Sequence, residues 1–222
     1  MSGKALSSSH RALQELRSKI FSGELAAGSD HLESELADLL EMSRTPVREA
    51  VLTLESQGLL EMRPRKGVRI LPLSPDDMAE IYDVLTELES HAAERAAAEN
   101  FPESDLAALA QAIDDMDKAI ADTDLDAWAE ADDRFHGELV RLGGNSRIQS
   151  IVAMMSDQVR RARTTTLFMR PVPTQSNEDH RKVYQAIREG DAATARDSHR
   201  QHRQYAKAIL IELLDKHRMR FL

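Results

Sequence analysis

Residues 43–50 read Ser43-Arg44-Thr45-Pro46-Val47-Arg48-Glu49-Ala50 and have the form of a helix start. Ser43 is a favoured cap, and Pro46 falls in the first turn, where a missing backbone N–H costs nothing. Arg44 stands at that start and Arg48 one turn on, so both project from the same end of the helix, where free amides also favour phosphate. This suits a helix that enters a DNA groove. An ordinary amphipathic helix with two solvated arginines reads the same over eight residues, so the flanks must decide.

Upstream, Leu13, Leu16, Ile20 and Phe21 keep helical spacing until Gly23. Asp30 with Glu33 has the pattern of a capping box before a second apolar stripe at Leu32, Leu36, Leu39 and Leu40. Only Glu41 and Met42 separate that stripe from the Ser43 helix, whose Val47, Ala50, Val51 and Leu54 face inward until Gly58. Two helices and a tight turn make a helix-turn-helix. After Gly58 the period changes: Leu59–Met62 and Val68–Leu71 are short β-compatible runs around Arg63-Pro64-Arg65-Lys66-Gly67. By itself this tip could be a solvated loop. Behind a recognition helix it is the wing of a winged helix, with Arg63, Arg65 and Lys66 placed to neutralise phosphates or reach the minor groove.

The charge is distributed to match. The 222 residues carry a net charge of −9, which argues against a chain that coats nucleic acid along its length. Residues 1–72 hold ten basic and ten acidic side chains, however, so the whole excess lies in residues 73–222. There is no cysteine, hence no disulfide or thiolate site, and no N-terminal apolar run marks a signal peptide or membrane span. The expectation is a soluble, cytoplasmic protein. Leu71-Pro72-Leu73-Ser74-Pro75 is a stiff linker, so the expected domains are 1–72, a winged helix-turn-helix, and 73–222.

The second segment contains no strand pattern. Six apolar stripes follow one another: Met78 to Ala92, Leu106 to Ile120, Trp128 to Leu142, Ile148 to Val159, Val183 to Ile187, and Ala195 to Leu213. With short connections they predict an all-α antiparallel bundle of six helices. Asp132 and His136 share a face with Trp128, Phe135 and Leu139, while His180 precedes Val183 and Tyr184, and His202 precedes Ala206 and Ile209. Each histidine alone reads as a hydrogen-bonded core residue sooner than as a ligand. Together with one carboxylate, converging imidazoles suit a divalent ion with open positions.

The run "LESELADLLEMSRTPVREAVLTLESQGLLEMRPRKGVRIL", preceded by "GELAAG", resembles the N-terminal domain of the GntR family of bacterial transcription regulators. That resemblance implies DNA contacts from Arg44, Thr45 and Arg48, with Gly67 and its basic neighbours acting at the wing. Ser34 departs from it, because many members carry arginine there. Residues 76–214 resemble the effector domain of the FadR subfamily, called FCD. Its metal-binding members hold zinc, nickel or a similar ion with an Asp and three His, and an organic acid completes the shell. This implies ligands Asp132, His136, His180 and His202; the register after Gly190-Asp191 favours His202 over His199, which would support the site from behind. Leu85 stands where many members have an arginine facing the ligand carboxylate, so the effector would be smaller, or be held by Arg134, Arg160 or Arg163, and acid specificity does not carry over. The expected function is therefore a homodimeric regulator of palindromic operator DNA, switched by a small organic acid. Two rivals remain: a metal-dependent hydrolase on a helical bundle, against which stands the lack of an H-E-x-x-H pattern, and a purely structural zinc bundle.

Overall fold

In the computed structural model, which describes residues 7–217, the first apolar repeat becomes α1 (Ser8–Phe21), whose cap Ser7 accepts from the His10 N–H at 3.2 Å. α2 (Glu33–Leu39) and α3 (Arg44–Ser56) follow, and α1 and α2 both pack on α3. Leu16 and Ile20 meet Val47, Val51 and Leu54 in a fully buried core. Ser43 sits at the cap position of α3, but its hydroxyl makes no cap bond.

The hairpin forms as expected, β2 (Leu60–Arg63) against β3 (Gly67–Ile70), with Arg63 opposite Gly67. A third strand not expected from the sequence, β1 (Asp30–His31), pairs antiparallel with β3, so the order is β1-β3-β2. This corrects the reading of Asp30 as a helix cap. The cap position of α2 is Leu32, whose N–H donates to the Glu35 carboxylate at 2.8 Å. An apolar side chain cannot return that bond, so only half of a capping box is made. The second stripe is also narrower than expected: Leu36 and Leu40 are buried, whereas Leu32 and Leu39 are 48% and 44% exposed.

Within the first unit the new strand explains Gly67. Its φ is +87°, and a Cβ there would stand 2.2 Å from the His31 carbonyl oxygen. The close pass of the β1 backbone leaves room for hydrogen only.

The chain divides into two compact units between Leu73 and Ser74. In the second, Ser74 accepts from the Asp77 N–H at 3.3 Å and Pro75 opens α4 (Pro75–Ala98). Then come α5 (Glu103–Ala121), α6 (Leu125–Leu142), α7 (Ser146–Thr166), a 3₁₀ turn (Leu167–Met169), α8 (Thr174–Glu189) and α9 (Ala192–His217). Leu109, Met116, Phe135, Leu139, Val183 and Ile187 centre the core. Where α6 ends, a Cβ on Gly143 would lie 2.8 Å from Ala92 Cα, so α4 and α6 meet almost backbone to backbone. α4 and α9 run antiparallel and are joined by a polar ladder: Glu94 to Arg196, Ser90 to His199, Glu89 to Arg203 and Asp83 to Lys207.

Gly67→Ala combines a left-handed backbone with a collision against backbone, and is expected to destabilise the first unit by about 1–3 kcal/mol. Thermal unfolding checks it; an unchanged melting curve would overturn the role assigned to β1.

Candidate metal centre and nucleic-acid interface

Arg44, Thr45 and Arg48 are all exposed at the start of α3, while Val47 behind them is completely buried. Arg48 is steadied by Glu33 of α2, 3.5 Å away. At the hairpin tip Arg65 and Lys66 are exposed, and Arg65 adopts φ +64°. Arg63 stands apart from them, held by Asp30 and Glu61 at 3.3 Å each. The first unit thus presents two sets of cations, one at a helix end and one on a turn.

In the second unit α6, α8 and α9 bring Asp132, His136, His180 and His202 together, all buried, with one ligand atom of each within 4.8 Å of the others. His180 Nε2 lies 3.2 Å from His202 Nε2 and 3.5 Å from Asp132 Oδ1, and His136 Nε2 lies 3.7 Å from the same oxygen. Most of these separations are long for hydrogen bonds. They are close to the spacing of atoms that share one ion at bond lengths of about 2.0–2.2 Å, for which neighbouring ligands stand about 3–3.6 Å apart. His180 Nδ1 and His202 Nδ1 are buried without a hydrogen-bond partner. Three imidazoles and one carboxylate are also the donor set that a divalent transition metal takes, so the residues fit such an ion.

The orientation of each ligand is set from behind. Arg163 of α7 binds Asp132 Oδ2, which leaves Oδ1 facing the histidines, and its other nitrogen binds Asp133. Glu89 of α4 lies 3.1 Å from His136 Nδ1 and accepts a hydrogen bond from the N–H there, turning the Nε2 lone pair into the cluster. Glu89 is in turn gripped by Arg203 through both oxygens, at 2.8 and 2.5 Å, and approached by His199 Nε2 at 3.4 Å. Glu89, His136 and His199 form a second group with metal-ligand spacing, but Arg203 already occupies that carboxylate. His199 and His202, inseparable by stripe, are thereby assigned to different groups.

Burial drives His180 and His202 well below the usual histidine range, with His136 and the other nearby rings adding to it. Burial also lowers His199, to about 4, against the opposing hydrogen bond to Glu89. For Glu89 burial acts upward, but Arg203 outweighs it with help from His136 and His199, and the carboxyl is held well below its usual range. His180 and His202 are therefore neutral imidazoles, the form in which a histidine binds metal.

A cleft of about 690 Å³, counting its open mouth, has Asp132, His136 and His202 on its wall together with Tyr82, Trp128, Arg163, Arg170 and Arg203. Trp128 is fixed there by its indole N–H, which donates to Asn177 Oδ1 at 2.9 Å. A second cavity of about 1050 Å³ shares His136, Arg163 and Arg203 with the first and is lined by Leu85 and Arg160. Of the three arginines expected at the effector, Arg163 reaches both cavities and Arg160 only the second. Arg134 reaches neither: it points outward from α6 to Asp115, and its side chain is 56% exposed. Two steps along a helix turn a side chain by about 200°, which separates Arg134 from the inward Asp132. Sequence reading missed Arg170, which lies outside every apolar stripe, and Arg203, which stands on the α9 stripe three residues before Ala206 and seven before Leu210 but carries a charge a stripe does not predict inside; Glu89 also lies on a stripe, four residues after Leu85.

The depressed histidines carry a pH signature. Between about 4 and 6.5 the unfolded chain binds protons at His199 that the fold excludes, and His180 and His202 act in the same direction, so stability is full above that window and falls through it as pH drops. The melting temperature of metal-stripped protein is expected to decline from pH 7 to pH 5. A flat profile would contradict the burial of these rings.

Comparison with known proteins bears on the whole chain. Residues 8–70 match the family described as bacterial regulatory proteins, gntR family, and residues 80–205 match the FCD domain. An uncharacterised HTH-type transcriptional regulator of Agrobacterium vitis is 40% identical over 145 residues, covering 63% of this chain and 85% of that protein. Another, from Streptomyces ambofaciens, is 30% identical over 189 residues, covering 85% and 78%. The gluconate operon transcriptional repressor of Bacillus subtilis is 33% identical over 141 residues, covering 64% and 57%. The solved structure of E. coli McbR/YncC superposes with a TM-score of 0.77 at 22% identity, over 94% of this chain and 99% of that one, a likeness of fold alone. These matches are to transcription regulators and give the hydrolase reading no support. With its exposed helix-turn-helix arginines, basic hairpin and helical FCD domain, this chain belongs to the GntR family of bacterial transcription regulators, DNA-binding and ligand-responsive.

Proposed function

We propose that this regulator is of the FadR type, holds one divalent ion, zinc or nickel, through Asp132, His136, His180 and His202, and answers to a small organic acid bound in the adjoining cleft. The observation that carries the reading is the convergence of four buried ligand atoms within 4.8 Å on the wall of an arginine-bearing cleft. When bound, such an ion would supply a Lewis acid for one effector carboxylate. The chain's own residues hold the rest of the pocket: Arg163 fixes Asp132, Glu89 fixes His136, and Trp128 gives an apolar wall. Operator DNA would be bound as a homodimer, since a palindromic site needs two matched recognition helices. The acid acts by binding the DNA-competent and DNA-incompetent states with different affinity, and only that difference can move the equilibrium. Among the described residues no helix is long and apolar enough to cross a membrane, in keeping with action on DNA in the cytoplasm.

Elemental analysis of purified protein is expected to find one divalent ion per chain, lost in the double variant His136→Ala with His180→Ala. Wild type without metal, or full occupancy in that variant, would overturn the centre. On the DNA side, Arg44→Ala and Arg48→Ala are each expected to cost about 1–3 kcal/mol of discrimination between operator and random sequence. Arg65→Ala with Lys66→Ala should instead weaken binding to all sequences and flatten its salt dependence. Gel shifts at two salt concentrations, on protein shown by light scattering to be dimeric, separate the two patterns; unchanged operator affinity of the α3 variants would remove α3 as the reading helix.

A further inference from the structure

Three guanidinium groups line the cleft beside the cluster, and they are not balanced alike. Arg163 is bound to Asp132 and Asp133, and Arg203 to both oxygens of Glu89. Among the described residues Arg170 has no carboxylate within ion-pair distance. Its Nε donates to the Thr166 hydroxyl at 3.0 Å, and the Tyr82 phenol is beside it. Its Nη2 is closed off from solvent and meets no acceptor.

The backbone presents this group rather than leaving it to wander. Arg170 directly follows the 3₁₀ turn, its N–H donating to the Leu167 carbonyl at 3.3 Å, and directly precedes Pro171-Val172-Pro173, all three of which line the same cleft. Proline fixes φ on the C-terminal side, and the turn fixes the chain on the N-terminal side. A cationic donor shut away from water without an acceptor is costly, and a planar guanidinium fork is matched by a carboxylate. An acid with one carboxylate at the cluster would leave Arg170 as it is. The wall also carries Leu125, Trp128, Leu167 and Ile209, apolar surface that suits methylene groups between two acidic ends.

From this we propose that the effector is a dicarboxylate, one carboxylate taken at the Asp132, His136, His180 and His202 cluster and the other by Arg170. The proposal rests on the metal-centred pocket inferred above and adds the second anchor and the class of acid.

The test is calorimetric titration of full-length, metal-loaded protein with succinate, glutarate and adipate, each against the monoacid of the same length: butyrate, valerate and hexanoate. At least one diacid is expected to bind tenfold or more tightly than its monoacid. Arg170→Gln should weaken that diacid by roughly 10–100-fold, the loss of charge-assisted hydrogen bonds, while leaving the monoacid and the metal content as in wild type. Arg170→Lys, which keeps charge without the fork, should retain part of the diacid advantage and guards against misfolding of the first variant. Equal binding of every diacid and its monoacid to wild type, or a diacid advantage that survives in both variants, overturns the proposal. So does tighter, Arg170-dependent binding of 3-phosphoglycerate than of any diacid, because the second anion would then be a phosphate. Elemental analysis of the same samples separates the two levels: absent metal removes the pocket and this inference together, whereas metal-dependent monoacid binding without a diacid preference removes only Arg170.

Discussion

Glu89 is a completely buried carboxylate, and its need for compensation organises the second unit. Taking such a charge out of water costs several kcal/mol unless it is paired and hydrogen-bonded. Arg203 supplies the charge, and His136 and His199 approach the remaining lone pairs. These groups come from α4, α9 and α6, so one ionic centre ties three helices into one arrangement. The orientation of His136 follows from it: with Nδ1 turned to Glu89, Nε2 has nowhere to point but the cluster.

A second carboxylate–arginine pair does the same on the other side. Arg163 of α7 holds Asp132 of α6 by the oxygen that faces away from the histidines. Between the two pairs stand three imidazoles, of which burial keeps His180 and His202 neutral. Such buried polar networks contribute orientation more than stability; stability comes from the apolar core around Met116, Phe135 and Leu139. In the first cleft Arg163, Arg170 and Arg203 meet three of the four candidate ligands, while the second cavity is lined by Arg141, Arg160, Arg163 and Arg203. Leu85, at the position where a family-like arginine was expected, lines the second cavity, so that cavity lacks the cation the resemblance would place there.

In the first unit the third strand plays the organising part. β1 brings Asp30 against Arg63 and Arg69 of the hairpin, drawing those two cations onto the sheet. Arg65 and Lys66 are left at the tip, facing solvent. Of a basic cluster that looks uniform in sequence, two members serve the sheet and two stand exposed at the tip.

The sequence by itself determined the class of every helix and of the hairpin. Proline, glycine and cap residues punctuate apolar periods of 3.6 and 2, and these signals are local, so the helix-turn-helix, the wing and the six later helices were legible. The inward faces of Asp132, His136, His180 and His202 were legible for the same reason, since a helical stripe states which way a side chain points. What a stripe cannot state is which other helix lies opposite. The choice of His202 for the cluster and His199 for Glu89, the roles of Arg203 and Arg170, and the exclusion of Arg134 depend on pairings between residues from nineteen to more than a hundred positions apart. β1 was invisible because two residues carry no period, and its existence rests on an edge of β3 that only the folded chain offers. Tertiary structure decided these points because a buried charge must find its partner wherever packing puts one.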